Sequence, residues 1–182
     1  MRIISGTARG RKLKEPAGYD IRPTSDMVKE SIFNIIQFDI EGRRVLDLFA
    51  GTGQLGIEAL SRGAKSAVFV DSKPESARLI RKNLELCGFM DSAVVYTCDA
   101  ISYLKGGERF DLIFIDPPYD TPLLDNALSK IIEFDKLNEH GIIICETKAV
   151  NKMPDGVPPY VLQKEYKYGS VKIARYGREP DR

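Results

Sequence analysis

The stretch Val45 to Leu60, VLDLFAGTGQLGIEAL, decides the fold. Its short apolar run carries an acid, Asp47, and leads into a turn of small residues, Phe49-Ala50-Gly51-Thr52-Gly53. An amphipathic pattern follows, with Leu55, Ala59 and Leu60 on one face of a helix. The order is strand, tight glycine turn, helix. Such a unit brings a bare backbone and a helix N-terminus close to a bound ligand.

From Arg43 onward the chain alternates strands with helices. Strand 45–49 leads to helix 53–62, strand 66–71 to helix 74–86, and strand 93–97 to a short helix after Cys98-Asp99-Ala100. Strand 110–116 is apolar on both faces, as a central parallel strand should be. It is followed by helix 122–134 and strand 142–146. Segments 160–168 and 170–176, joined around Gly169, read as a terminal β-hairpin. The expected fold is therefore α/β, a mostly parallel doubly wound sheet with right-handed crossovers. Ligands of such sheets bind at the carboxyl ends of the strands. Three acids stand at those ends: Asp71, Asp99 and Asp116.

Residues 1–40 form a small N-terminal extension packed on a core of residues 41–182. The extension opens with a basic hairpin or arm over residues 1–14, punctuated by Gly6 and Gly10. A loop over 16–23 leads to a helix capped by Thr24 or Ser25 and running to about Phe38, with Met27, Val28, Ile32, Ile35 and Ile36 as its buried stripe.

The net charge of +1 is uninformative, but its distribution is not. Arg2, Arg9, Arg11, Lys12 and Lys14 lie in an acid-free start, and Lys164, Lys167, Lys172, Arg175, Arg178 and Arg182 stand near the other end. Basic ends fit a polyanion gripped at the margins of a catalytic domain; solvated ends are the alternative. No apolar run approaches the ~20 residues of a membrane helix, and the start has no signal-peptide core, so no membrane association or export is expected. The three cysteines lack metal spacing, which points to reduced thiols in a cytoplasm. His140, beside Gly141, reads as a loop or helix-end residue, and no metal is called for.

Gly51-Thr52-Gly53-Gln54-Leu55-Gly56 matches G-x-G-x-x-G, and Asp71 follows about 20 residues on, as in the dinucleotide fingerprint. An NAD-dependent oxidoreductase is one reading. Against it, Asp47 is an odd neighbour for a pyrophosphate but suits the α-ammonium of a methionine-type ligand. The motif Asp116-Pro117-Pro118-Tyr119 also has no evident role in hydride transfer.

Asp-Leu-Phe-Ala-Gly-Thr-Gly at 47–53, with Asp71, Asp99 and Asp116-Pro117-Pro118-Tyr119 in this order, resembles the S-adenosylmethionine-dependent amino-methyltransferases of nucleic acid. The N-terminal motifs Arg2-Ile3-Ile4-Ser5-Gly6, Arg9-Gly10-Arg11, Arg22-Pro23-Thr24 and Glu30-Ser31-Ile32-Phe33-Asn34 look like those of the RsmD family, bacterial enzymes that methylate a guanine N2 amine of 16S ribosomal RNA. The likeness covers nearly the whole chain, most loosely after Asn151. It implies a Rossmann-like class I methyltransferase fold, S-adenosylmethionine as cofactor, and 16S ribosomal RNA, the small subunit or an assembly intermediate as partner. A monomer is the default expectation.

The resemblance also implies roles. Gly51 and Gly53, with Phe49, would let the methionine part of the cofactor approach the backbone, with Asp47 near its ammonium group. Asp71 would accept from the ribose hydroxyls, and Asp99 from the adenine amine, with Ala100 leaving room for the ring. Asp116 and the Pro117 carbonyl would hold the N–H groups of the target amine and draw electron density to its nitrogen. Tyr119 would stack on the base, worth ~1–3 kcal/mol by analogy with other stacked bases. Arg9, Arg11, Lys12 and Arg22 would meet RNA. Taken singly, Asp71 or Asp99 could be only a helix cap. The rival substrates and classes are adenine N6 in DNA, which the same motif serves, the oxidoreductase, and a non-catalytic RNA-binding protein.

Overall fold

The computed structural model describes residues 1–16 and 25–179. Residues 1–13 fold back on themselves, with an antiparallel bridge between Arg2 and Lys12. The Ile3 N–H donates to the Arg11 carbonyl at 2.9 Å. Then come α1 (Asp26–Ile35), β1 (Arg44–Leu48), α2 (Gln54–Ser61), β2 (Ser66–Asp71), α3 (Pro74–Cys87), β3 (Ala93–Thr97), α4 (Ala100–Leu104), β4 (Phe110–Ile115), α5 (Leu123–Glu133), β5 (Leu137–Lys148), β6 (Gly156–Val157), β7 (Tyr160–Tyr168) and β8 (Val171–Arg178). No described helix is long and apolar enough to cross a membrane.

The strands form one eight-stranded sheet in the order β3-β2-β1-β4-β5-β8-β7-β6. The pairs β1–β2, β2–β3, β1–β4 and β4–β5 are parallel. The hairpin β7–β8 joins through β8, antiparallel to β5. The order reverses between β1 and β4, which places a ligand crevice outside their carboxyl ends.

Period-two alternation divides the core between the two faces. Val45, Phe69, Leu112, Phe114 and Ile144 pack with Ile32, Phe33, Leu55 and Ile80 of α1, α2 and α3. Leu46, Val68, Ile113, Ile115 and Ile143 pack with Leu104, Leu124, Leu128 and Ile131 of α4 and α5. Ile3, Ala8 and Leu13 of the N-terminal turn enter the first of these clusters.

Three expected elements come out differently. The first helix is capped by the Ser25 hydroxyl, which accepts from the Val28 N–H, and stops at Ile35. Met27 is 65% exposed, because the buried stripe runs through Val28, Ile32 and Ile36 on the opposite side. β5 begins at Leu137, five residues before the expected start, with a bulge opposite Phe110–Leu112. His140 lies in that bulge with φ 60° and is neither in a loop nor at a helix end. Half of the basic C-terminal cluster is spent internally, Lys164 and Lys167 stay exposed, and Arg182 lies outside the described residues. Lys172 is buried and pairs with Glu165, Arg175 pairs with Asp39, and Arg178 with Asp135.

Glu58, fully buried on α2, fastens the N-terminal turn. It accepts from the backbone N–H groups of Ile4 (2.8 Å) and Ser5 (3.0 Å) and from Arg62 Nε (2.8 Å). The buried ammonium of Lys29 stands 3.9 Å away and donates to the Arg2 carbonyl. Burial pulls the Lys29 pKa down, and the Glu58 charge opposes that shift. Replacing Glu58 by Ala removes the acceptor of two part-buried N–H groups and leaves the buried Lys29 with only the Arg2 carbonyl and the exposed Asp26 carboxylate, 3.9 Å away. Urea denaturation should show a loss of about 3–5 kcal/mol.

Candidate active site

The turn after β1 is assembled around buried carboxylates. Asp47 is 2% exposed, and its Oδ2 accepts from the Gly56 N–H at 2.9 Å. This side chain thus satisfies a first-turn donor of α2, whose own N-cap, Gly53, has none to offer. A Cβ at Gly56 would lie 2.3 Å from the Phe69 ring and 3.2 Å from Asp47 Oδ2, so only glycine lets α2 sit this close to β1 and β2. Burial, reinforced by the nearby Asp71 charge, pushes the Asp47 carboxyl up to about 7, against the opposing Gly56 hydrogen bond.

The turn itself needs left-handed backbone. Gly51 has φ 56° and Gly53 φ 79°. Phe49 adopts φ 65°, which is costly for a residue with a side chain and is typical of a strained functional turn. Asp71 ties this turn to the next one. Its Oδ2 accepts from the Gly51 N–H and its Oδ1 from the Lys73 N–H, both at 2.9 Å. Asp99 caps α4, Oδ1 accepting from the Ile101 (3.0 Å) and Ser102 (3.2 Å) N–H groups. These hydrogen bonds, led by those of Ser102, hold its carboxyl below the usual range. The cap geometry considered for Asp99 alone is thus realised. It leaves the outer lone pairs of the carboxylate available, and the same holds at Asp71.

Most of these groups border one cavity of about 520 Å³ at the switch point. Asp47, Phe49, Gly51, Asp71, Asp99 and Ala100 line it, and so do Asp116, Pro117, Pro118 and Tyr119 from the end of β4. Gly53 sits just behind the lining, where an added Cβ would lie 3.3 Å from Ile57 and Ile80. The Tyr119 hydroxyl donates to Glu146 Oε1 at 2.8 Å.

The described basic candidates are separate from this cavity. Arg9, Arg11 and Lys12 are exposed on the N-terminal turn, and Arg11 donates to the Leu86 carbonyl at the end of α3. Arg22 lies outside the described residues.

Two lining residues escaped the sequence reading. Glu146 closes the crevice at the end of β5, and the rule that found the other strand-end acids would have found it too. Gln54 had no such signal. It is 6% exposed and lines the cavity, and among the described residues its Oε1 has no hydrogen-bond partner.

A switch-point crevice with this strand order, a glycine turn and acids on successive strand ends defines a Rossmann-like S-adenosylmethionine-dependent methyltransferase. The residues fit that cofactor. Gln54 Oε1 and Asp47 offer acceptors for an ammonium group, and the Cβ position at Gly51 faces open space that a side chain would fill.

Comparison with known proteins narrows the class. The model of the family described as "Conserved hypothetical protein 95" matches residues 1–177. The chain is 42% identical to "Putative rRNA methyltransferase YlbH" of Bacillus subtilis, over 97% of this chain and 98% of that one. It is 34% identical to "Ribosomal RNA small subunit methyltransferase D" of Escherichia coli strain K12, over 98% and 90%. The solved structure of "Putative methyltransferase yhhF" from Escherichia coli superposes with a TM-score of 0.89 at 34% identity, covering 100% and 99% of the two chains. The chain belongs to this methyltransferase family, the RsmD family.

The raised Asp47 pKa has a testable consequence. A carboxyl whose pKa is higher folded than unfolded holds a proton that the unfolded chain releases. Stability therefore falls as pH rises from 3.8 to about 7 and levels off above. An amide in place of this carboxyl can keep the Gly56 hydrogen bond without titrating. The stability of Asp47→Asn relative to the native protein should grow across that window to at most about 4 kcal/mol, by urea denaturation at fixed pH values. A pH-independent difference would contradict this account.

Proposed function

We propose that this methyltransferase modifies the exocyclic N2 amine of a guanine in 16S ribosomal RNA. The acceptor is the free RNA, the small subunit or an assembly intermediate, and the enzyme acts as a cytoplasmic monomer. The observation that carries the reading is the juxtaposition of the Asp116-Pro117-Pro118-Tyr119 turn with the glycine turn across one cavity. The names of the relatives, both ribosomal RNA methyltransferases, supply the substrate class. We assign Asp47, Phe49, Gly51, Gly53, Asp71, Asp99 and Ala100 to cofactor binding.

S-adenosylmethionine, when bound, supplies a methyl group activated by its sulfonium. The chain's task is to present a poor nucleophile to it. A purine amine has its lone pair delocalised into the ring. Asp116 and the Pro117 carbonyl accept its N–H groups, orient it and raise electron density on nitrogen. Pro117 and Pro118 stiffen this turn because each locks its own φ. Tyr119, with its hydroxyl anchored on Glu146, offers a ring face to a base that has left its stack. Asp116 need not be a strong base, because the amine turns acidic only as it is alkylated.

In this reading residues 1–40 form an extension that carries part of the RNA surface, and residues 41–182 form the catalytic domain. Arg9 and Lys12 contact phosphates, Arg11 does so beside its own bond to the end of α3, and Arg22 meets the RNA. Affinity for RNA should then fall steeply with salt.

The test is transfer of labelled methyl groups to unmodified small subunits, protein-free 16S RNA and duplex DNA, with the product nucleoside identified. N2-methylguanosine in RNA is expected; N6-methyladenine in DNA would overturn the substrate. Asp116→Ala should lower turnover by about 100-fold or more while S-adenosylmethionine still binds. Normal turnover in that variant would sink the mechanism.

A further inference from the structure

Glu146 is the strand-end acid for which cofactor binding has no use. The last parallel pair between β4 and β5 is Ile115–Cys145, so Asp116 and Glu146 are the next residues on adjacent strands. Glu146 is 6% exposed. It borders the main cavity and also a second one of about 320 Å³, and Pro117, Pro118 and Tyr119 line both. Its carboxylate therefore stands where a base held by the Asp116 turn would present its edge. The 2.8 Å bond from Tyr119 to Oε1 aligns the carboxylate with the aromatic ring. Since an oxygen of a carboxylate has two acceptor sites and the group has two oxygens, this bond does not exhaust it.

The edge of guanine carries the N1–H donor directly beside the N2 amine. Adenine and cytosine carry a lone pair in the corresponding place next to their amines. An acid at this position therefore attracts guanine and repels the other two. Accepting the N1–H also pushes electron density through the ring carbon toward N2, in the same sense as Asp116.

We propose that Glu146 reads base identity, its carboxylate accepting the guanine N1–H while Asp116 and the Pro117 carbonyl hold the N2 amine. This deepens the guanine-N2 reading and rests on it. A purely structural role, in which Glu146 does no more than anchor Tyr119, makes different predictions.

The experiment compares the RNA acceptor that the native enzyme modifies, carrying either guanosine or 2-aminopurine ribonucleoside at the methylated position. The analogue keeps the 2-amine but replaces N1–H by a lone pair. The native enzyme should favour guanosine by about 100-fold or more in kcat/KM, as expected when a polar site meets an unmatched group. Glu146→Gln can turn an amide N–H toward that lone pair. It should lose about 100-fold on guanosine and bring 2-aminopurine to parity or better, with S-adenosylmethionine binding unchanged. Tyr119→Phe should weaken both acceptors and keep the preference for guanosine.

Three results would overturn the proposal. One is a native enzyme that does not discriminate between the acceptors, a measurement that needs no variant. Another is equal loss on both acceptors in Glu146→Gln. The third is loss of the preference in Tyr119→Phe, with no further change when Glu146→Gln is added to it. A native enzyme that methylates no guanine at all would instead remove the reading beneath the proposal.

Discussion

Asp47, a carboxylate buried at the end of β1, holds the first turn of α2 through the Gly56 N–H. The rest of the site depends on that contact. A helix N-terminus leaves unsatisfied donors, and a strand end leaves a bare edge. Here a side chain from beneath satisfies one of the donors, so the space above the turn stays clear. Asp71 performs the same service from β2 toward Gly51 and Lys73, and Asp99 toward Ile101 and Ser102. The acids at the crevice thus hold loops in place while they border the cavity. A capping carboxylate keeps acceptor sites to spare, so the helix-cap reading and the proposed ligand reading of Asp71 and Asp99 are not in competition.

The parallel strands make this arrangement rigid. Each acid is carried by a strand or turn hydrogen-bonded to its neighbour, and the order reversal between β1 and β4 parts the two crossovers to open the crevice. The N-terminal turn packs against the helices that follow β1 and β2. Asn83 of α3 donates to the carbonyls of Lys14 and Thr52, and Glu58 ties Ile4 and Ser5 to α2. This N-terminal turn is therefore fastened to the elements that frame the glycine turn. A basic surface carried on it keeps a set position relative to the cavity.

Periodicity made most of the fold legible. Strands 66–71 and 93–97 have the expected bounds: the first is buried along its middle and leaves an uninterrupted apolar run, and the second, half-exposed at the sheet edge, is still marked by its β-branched and aromatic residues. The terminal hairpin was legible from its turn, but its antiparallel docking beside β5 was not. The start of β5 was hidden because the bulge carries Asn138, Glu139 and His140, polar residues that read as a loop. Three of the basic C-terminal residues misled for a related reason. Linear charge does not show that Lys172, Arg175 and Arg178 find acids from Glu165 to Asp39 and Asp135. Gln54 carried no signal, since its isolation from other polar groups exists only once α2 has packed.

By itself the sequence determined the alternation of strands and helices, the glycine turn, and the acids at successive strand ends. These are local properties, set by spacing of apolar residues and by the φ freedom that Gly51 and Gly53 supply. Only the tertiary structure decided which of those ends meet. Nothing in the chain between Asp47 and Asp116 indicates that their strands are neighbours. Nor does the sequence show that Glu146 stands beside Asp116 with Tyr119 bonded to it. The physical reason is that strand order follows from how the apolar faces of five helices are buried on both sides of one sheet, a global constraint that no single segment contains.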